Sequence, residues 1–371
     1  MKKNVLILAN ESNYTYNLRS ALIKSLIDSG CNVTIACELL QFQQELQDMG
    51  CKLIGLDFSR RGTNPFSDLM LMAKYLKILK TEKPDVVLSY NIKPNVYGGL
   101  ACQMRKVPYL PNITGLGTAV EYPGKMQALT TRLYKWGVKG AQCVFFQNSE
   151  NEEFFRQRNM LSKKSKTRLL PGSGVDLQAH PLLTYPKEDT IHFLFVARVL
   201  KEKGIDQYLA AAKALRAERQ DLVFHICGGC DDAAYEQILK QAQEAGEVVY
   251  HGQQKDMLPF FQMASCVVHP SYYPEGMSNV LQEAAASGRP IIAANRSGCR
   301  ETVEQGKTGY IVPIKDSEAV IEAIRTFLNL SWEERRDMGL AGREKMEREF
   351  DRKIVVDHYL EELEGVPSRE L

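Results

Sequence analysis

Residues 266–295 read CVVHPSYYPEGMSNVLQEAAASGRPIIAAN, and the fold can be worked out from this stretch. CVVHPS (266–271) is a short apolar, β-branched run of the kind that makes a buried strand. A second apolar run opens at Val280 with helix-favouring residues through Ala286. Ser278 stands at the N-cap position of that helix, and SGRP (287–290) stops it, with Gly288 at C′ and Pro290 two residues on. RPIIAAN (289–295) is a strand again. A strand, a helix and a second strand, each strand apolar on both faces, make a unit of parallel sheet.

The rest of the chain repeats this pattern. Upstream, NVLILAN (4–10), NVTIACE (32–38), CKLIGLDF (51–58), DVVLSYN (85–91), VPYLPNIT (107–114) and CVFFQNS (143–149) alternate with helical patterns such as 18–29 and 68–80. From residue 191 onward, IHFLFVA (191–197), LVFHIC (222–227), VVYHG (248–252), CVVHPS, RPIIAAN and GYIVPI (309–314) do the same, with helices expected over 205–219 and 233–245. The sequence therefore predicts an α/β protein of two Rossmann-like, doubly wound parallel-sheet domains in tandem. PGSGVD (171–176) marks the boundary between them. After the last strand only helices are expected, over 317–328, 332–349 and 352–364. Ligands of open sheets bind beyond the carboxyl ends of the strands, so the loops there, in a cleft between two facing domains, are where chemistry is expected.

A chain of 371 residues, 44% of them hydrophobic, holds enough apolar material for two cores. MKKNVLILANESNY begins with a basic pair, but only residues 5–9 are apolar before polarity returns, which is short for a signal peptide and suits a buried strand. No stretch nears the roughly 18–20 apolar residues of a spanning helix. The expectation is a soluble or peripheral protein of the cytoplasm. Its nine cysteines then read as reduced thiols. Cys227 and Cys230 form CGGC, yet no second pair or histidine cluster completes a zinc site, and the motif falls where LVFHIC meets a Gly-Gly turn. The net charge of +2 conceals an asymmetry, because residues 1–175 carry 24 Lys and Arg against 13 Asp and Glu while the remainder carries 23 against 32. A basic first half suits an anionic surface or substrate. Its densest run, RQRNMLSKKSKTR (156–168), reads equally as a solvated loop and helix face.

Two glutamates, Glu275 and Glu283, flank the helix start in PEGMSNVLQEA (274–284). Glu275 falls in the loop ahead of the helix and Glu283 in its first turns. The backbone N–H groups of Gly276, Met277, Ser278, Asn279 and Val280 surround a helix amino terminus, which is an anion site. Helical side chains lean toward the amino end, so Glu283 points to the same tip, and a carboxylate there suits the vicinal hydroxyls of a ribose. Arg198 and Lys203, in the loop after IHFLFVA, add a bidentate guanidinium and a point charge from a neighbouring strand end. No D-x-D occurs, so the sequence requires no divalent metal.

HPSYYPEGMSNVLQEAAASGRPIIAANRSGCRETVEQGKTGYIVP (269–313), ARVLKEKG (197–204) and PGSGVD together resemble the retaining glycosyltransferase family 4, whose fold is GT-B. NIKPNVYGGL (91–100) and NITGLGTA (112–119) are similar to its bacterial members that build capsule, O-antigen and other lipid-linked glycans. The resemblance covers essentially the whole chain. It implies an acceptor-binding domain over 1–175, a donor-binding domain over 176–351, and a terminal helix, about 352–371, that packs back on the first domain. It also implies that Glu275 lies beside the donor sugar, that Glu283 accepts the ribose hydroxyls, and that Arg198 and Lys203 clamp the diphosphate above the amides of 276–280. The implied reaction is anomerically retaining, metal-independent transfer from a nucleotide sugar, UDP-linked hexose or N-acetylhexosamine, to a glycan or a polyprenyl-diphosphate-linked acceptor. No cofactor is implied. Two departures stand out: Ala197 replaces a common glycine before the arginine, and ANESNYTYNLR (9–19) replaces a glycine-rich loop after the first strand. A hydrolase with a carboxylate pair, a nucleotide-sugar epimerase of the same fold and a non-catalytic nucleotide-sugar-binding subunit are the competing readings.

For the acceptor, Asn17, Arg19, Asn91, Lys93, Thr114 and Gly115 follow first-domain strands and are the candidates, with tight turns and helix caps as the alternative reading. LTTRLYKWGVKGA (129–141) interleaves aromatic and basic residues and suits an anionic membrane surface, at the inner face of the cell membrane; Leu129, Leu133, Trp136 and Val138 equally suit the core face of an ordinary helix. No nucleic-acid partner is expected.

Overall fold

The computed structural model describes residues 3–57, 65–117, 120–121, 123–187 and 189–367. Phe58 of the expected third strand, Thr118 and Ala119 of NITGLGTA, and the end of the terminal helix at 368–371 lie outside those residues.

Seven strands make the first sheet: β1 (Asn4–Glu11), β2 (Asn32–Glu38), β3 (Lys52–Gly55), β4 (Val86–Tyr90), β5 (Tyr109–Ile113), β6 (Val144–Phe146) and β7 (Thr167–Leu169). All pair in parallel, in the order β3-β2-β1-β4-β5-β6-β7. Six more make the second: β8 (Ile191–Val196), β9 (Leu222–Cys227), β10 (Val249–Tyr250), β11 (Cys266–His269), β12 (Ile291–Ala294) and β13 (Gly309–Val312), again all parallel, in the order β10-β9-β8-β11-β12-β13. The strand order reverses between β1 and β4 in one sheet and between β8 and β11 in the other. These are the topological switch points, where a doubly wound sheet leaves a crevice at its carboxyl edge.

The uninterrupted apolar strands are explained by what covers them. Val5 and Ile7 of β1 join a core with Leu22 and Leu26 of the helix Ser12–Asp28, while Leu6 and Leu8 join another with Tyr75 and Leu79 of the helix Pro65–Glu82. Successive side chains point to opposite faces, so one strand feeds both layers. In the second sheet, Phe193 and Phe195 pack with Tyr208 and Phe224 in the same way. The nine cysteines are free thiols, eight of them buried. Gly228 of CGGC is required by close approach, since a Cβ there would stand 1.7 Å from the Ala197 carbonyl oxygen.

One expectation is corrected. The first helix starts earlier than the pattern over 18–29 suggests, because β1 runs through Glu11 and the helix starts at once at Ser12. The turn needs no glycine because side chains satisfy the backbone locally. Thr15 Oγ1 donates to the Glu11 carbonyl at 2.8 Å, Ser12 Oγ donates to the Gln41 carbonyl at 2.6 Å, and the Leu40 N–H donates back to Ser12 Oγ at 2.9 Å.

By packing, the chain divides into two compact units: Met1–Ser173 with Glu275–Met277 and Arg352–Leu371, and Gly174–Pro274 with Ser278–Asp351. The two main chain crossings meet at a parallel bridge between Val175 and Asp351. In the first unit, the helix Arg352–Glu364 buries Val355, Val356, Tyr359 and Leu363 against β1 and its neighbours. Lys3 Nζ donates to the carbonyls of Leu363 and Val366 beyond the last turn, which completes the carbonyls that a helix end leaves unpaired. Buried Glu362 takes Arg168 and Lys166, each at 2.7 Å, from β7 and its approach. Tyr359 is fully buried, and its hydroxyl accepts from Asn112 Nδ2 at 2.8 Å. Tyr359→Ala is expected to cost about 3–5 kcal/mol, read as a lowered urea midpoint by circular dichroism. A loss below about 1 kcal/mol would show that this helix is not part of the first unit's core.

Candidate active site

In the second unit, three loops converge at the carboxyl edge because their strands are neighbours. β11 pairs with β8 and β12 pairs with β11. The loop after β8 carries Arg198 and Lys203 and ends at Gly204, whose φ of +80° starts the helix Ile205–Glu218. A Cβ at Gly204 would stand 2.3 Å from the Pro270 carbonyl oxygen, so only glycine lets this loop close on the one after β11. The Tyr272 N–H donates to the Glu202 carbonyl at 2.9 Å and ties the two loops together. The loop after β12 completes the set. Glu301 accepts from Ser297 Oγ and from the Gly298 N–H, and the Gly298 carbonyl accepts the Ser278 N–H at 2.7 Å.

That last bond changes the reading of Ser278. It occupies the N-cap position of the helix Asn279–Ala286, but its hydroxyl caps nothing. The amides of the first turn therefore have no side-chain acceptor and face the switch point with their partial positive charge. Val280 and Asn279 are in that first turn, and Glu283 is half-buried four residues beyond Asn279. Gly288 stops the helix with φ of +74°. Glu275, Gly276 and Met277 group with the first unit, where Asn148 Nδ2 donates to the Gly276 carbonyl at 2.6 Å.

The electrostatics are those of crowded cations. Arg198 is exposed and makes no ion pair among the described residues. Lys203 is half-buried, its Nζ 4.9 Å from the centroid of the Tyr273 ring. Burial, with Arg198 nearby, pushes its ammonium down to about 8, while the facing Cys299 thiol works the other way. His269, the last residue of β11, is fully buried, and neither ring nitrogen has a hydrogen-bond partner. Burial first and Lys203 second push it down to about 3, so it is neutral at every working pH.

In the first unit the acceptor candidates separate. Lys93 is taken up by buried Asp68, 2.7 Å away, which also accepts from Tyr97 Oη at 2.8 Å. Asn91 adopts a left-handed φ of +71° directly after β4, and its carbonyl accepts the Asn95 N–H. Thr114 and Gly115, with φ of +133° at the glycine, follow the neighbouring β5. Arg19 is buried over the ring of Tyr90, the last residue of β4, whereas Asn17 is exposed. Two residues apart on a helix, they face opposite ways and cannot serve one site.

Some residues gave no signal in the sequence. His192, His225 and His251 come from neighbouring strands and stack in a line, His192 Nδ1 2.9 Å from His225 Nε2 and His225 Nδ1 3.0 Å from His251 Nε2. Burial and then the two flanking rings push His225 down to about 4, so the central ring of the line is neutral near pH 7. No local pattern marks it, because the residues are 26 and 33 positions apart.

Comparison with known proteins accounts for both units. Residues 184–345 match the family described as Glycosyl transferases group 1, and residues 4–148 match the one described as Glycosyl transferase 4-like. The chain is a family 4 glycosyltransferase. It is 27% identical to the N,N'-diacetylbacillosaminyl-diphospho-undecaprenol alpha-1,3-N-acetylgalactosaminyltransferase of Campylobacter jejuni, over 93% of this chain and 94% of that one. It is 25% identical to the capsular polysaccharide biosynthesis glycosyltransferase CapM of Staphylococcus aureus, over 81% of each. In fold, the transferase is similar to a glycosyltransferase from Rickettsia africae, with a TM-score of 0.80 at 18% identity and 98% of each chain covered. It is also similar to Anabaena HepE, solved with UDP and glucose, with a TM-score of 0.78 at 16% identity over 98% of this chain and all of that one. The architecture is GT-B.

The depressed Lys203 gives a pH signature. Below about 8 the lysine is charged; above that it must take up a proton to pair with an anion. The affinity for UDP, followed by calorimetry, is expected to fall as pH rises through about 8, by up to about tenfold per unit. Lys203→Arg is expected to flatten the profile, and an unchanged slope in that variant would assign the titration to another group.

Proposed function

We propose that this protein is a retaining glycosyltransferase that moves a sugar, a UDP-linked hexose or N-acetylhexosamine, onto a polyprenyl-diphosphate-linked glycan acceptor during the building of a bacterial surface polysaccharide or glycan. The observation that carries the donor half is the switch point of the second unit, where the loop bearing Arg198 and Lys203 neighbours the loop that leads to the uncapped start of the helix Asn279–Ala286. Two cations and a helix tip suit a nucleoside diphosphate. The names of the relatives, one acting on a diphospho-undecaprenol glycan and one in capsule synthesis, support the acceptor half.

In this reading the sugar-phosphate bond lengthens as charge builds on the leaving diphosphate. Arg198, Lys203 and the amides of residues 276–280 stabilise that charge, without a metal ion. The departing phosphate oxygen takes the proton of the acceptor hydroxyl as it attacks from the same face, so the anomeric configuration is kept. Glu275 orients the sugar and supports the positive charge on its ring. Glu283 accepts the ribose hydroxyls.

Transfer is tested with the full chain, a panel of UDP-sugars and a polyprenyl-diphosphate sugar, with the product anomer read by NMR and with chelator present. Glu275→Ala is expected to lower transfer by roughly 10³-fold with UDP affinity kept within a few-fold. An inverted product, a chelator-abolished rate, acceptor-independent release of sugar or a changed stereocentre in the unreacted donor would each overturn the reading.

The same reading sets the reaction at the inner face of the cell membrane. The helices Pro65–Glu82, Gly99–Arg105 and Lys125–Gly137 follow β3, β4 and β5 and lie side by side on one face of the first sheet, with Gly99 pressed against the Gly137 carbonyl. Their outer side exposes Phe66, Leu69, Met70, Met104, Met126, Leu129 and Trp136 among Lys77, Lys80, Lys125, Arg132 and Lys135. Both acids of these helices are engaged, Asp68 by Lys93 and Glu82 by Lys52. An apolar, basic layer of this kind suits the surface of an anionic bilayer, at about 1 kcal/mol per cation near the lipid. None of the described helices is long and apolar enough to cross a membrane. The protein is expected to co-sediment with phosphatidylglycerol vesicles at low salt, and Leu129→Glu with Trp136→Glu to abolish it. Equal binding by that double variant would move the contact elsewhere.

A further inference from the structure

The first unit buries a cation whose contacts among the described residues are an aromatic ring and one backbone carbonyl. Arg19 is 5% exposed, with its guanidinium carbon 4.4 Å from the centroid of the Tyr90 ring. Its hydrogen bond to the adjacent Leu18 carbonyl is 3.5 Å long, at the limit of what counts as a bond. It forms no ion pair among the described residues. Burying a guanidinium without a counter-ion is unfavourable, and stacking on one tyrosine offsets only part of that. The missing partner is an anion.

Its place in the fold narrows what that anion is. Tyr90 ends β4, and the helix bearing Arg19 follows β1, so Arg19 stands at the β1/β4 switch point of the first sheet. Side chains on that helix lean toward its amino end, which carries the guanidinium toward the carboxyl edge. The other cation near this edge, Lys93, is spent on Asp68. Tyr359 of the terminal helix, near Arg19, is neutral, its hydroxyl pushed well above its ordinary range by burial and accepting from Asn112. An aromatic wall and a forked donor that forms no ion pair among the described residues suit a phosphate oxygen pair.

We propose that Arg19 is a diphosphate-binding residue of the first unit and that the diphosphate is the one joining the acceptor glycan to its lipid. This rests on the acceptor class proposed above and adds the group that holds it. The donor diphosphate has the same chemistry, so the two sources must be separated by experiment. The acceptor arm predicts that Arg19 binds a second diphosphate while the donor site is filled.

The probe is inorganic pyrophosphate, titrated against the full chain already saturated with UDP and followed by thermal shift and calorimetry. The expected result is a further saturable shift in the wild type. Arg19→Met, which fills the same space without charge, is expected to keep the unliganded melting temperature and the UDP response and to weaken pyrophosphate binding roughly tenfold or more. Arg19→Lys keeps the charge without the fork and is expected to fall between them, which keeps the test decisive if the methionine variant fails to fold. In transfer assays both variants are expected to raise the KM for the lipid-linked acceptor and leave the KM for the donor unchanged. Undiminished pyrophosphate binding in the variants, or none in the UDP-saturated wild type, would make Arg19 a structural cation and overturn the proposal. A raised donor KM with an unchanged acceptor KM would assign Arg19 to the donor diphosphate instead and also overturn it. Failure of the wild type to bind UDP at all would instead overturn the nucleotide-sugar reading, and the two failures are therefore distinguishable.

Discussion

The side-by-side pairing of β8 and β11 is the constraint on which the chemistry of the second unit depends. Because the two strands are neighbours and parallel, their carboxyl ends open on the same edge, although 69 residues of chain separate Val196 from Cys266. Gly204 then presses against the Pro270 carbonyl, and the Glu202 carbonyl holds the Tyr272 N–H. The loop carrying Arg198 and Lys203 is thereby held against the loop that leads into the helix Asn279–Ala286. A side chain at Gly204 or a different strand order would leave the same residues on the same strands with nothing to converge on.

Convergence is bought with unfavourable electrostatics. Lys203 has its ammonium pushed down by burial, and His269 behind it is stripped of partners and held neutral. The first unit repeats the pattern at its own switch point with Arg19 over Tyr90. Other buried charges are held in different ways: Glu362 meets Arg168 and Lys166, Asp68 meets Lys93, and Arg289 donates to the carbonyls of Phe261 and Thr184. Cations gathered at the switch points of both sheets, Arg198 with Lys203 at one and Arg19 at the other, are consistent with sites tuned for anions.

Much of this was legible in one dimension. The continuous apolar runs gave the strands because a strand buried on both faces has no polar side to show, and Val5 to Leu8 serve two cores at once. The stop of the helix at Gly288 and its start after Ser278 followed from local backbone chemistry, as did the boundary near residue 174. The segment after β1 was misread because glycine is the usual device for so tight a turn, and here Ser12 and Thr15 do the same by side-chain hydrogen bonds. Asn17 and Arg19 were read as a pair, yet a helix sends residues two apart to opposite sides.

The sequence by itself determined the α/β class, the tandem of two doubly wound units and the clustering of carboxylate, amide and cation signals around 198–203 and 274–284, because periodicity, capping and motif spacing are short-range properties of the chain. Tertiary structure alone decided which charges remain available. Lys93 lost its role to Asp68, 25 positions away, the three stacked histidines met across three strands, and the helix Arg352–Glu364 joined the first unit through Lys3, Arg168 and Asn112. The physical reason is that a charge is quenched or stranded by whatever lies within a few ångströms of it, and those neighbours are chosen by strand order and burial rather than by distance along the chain.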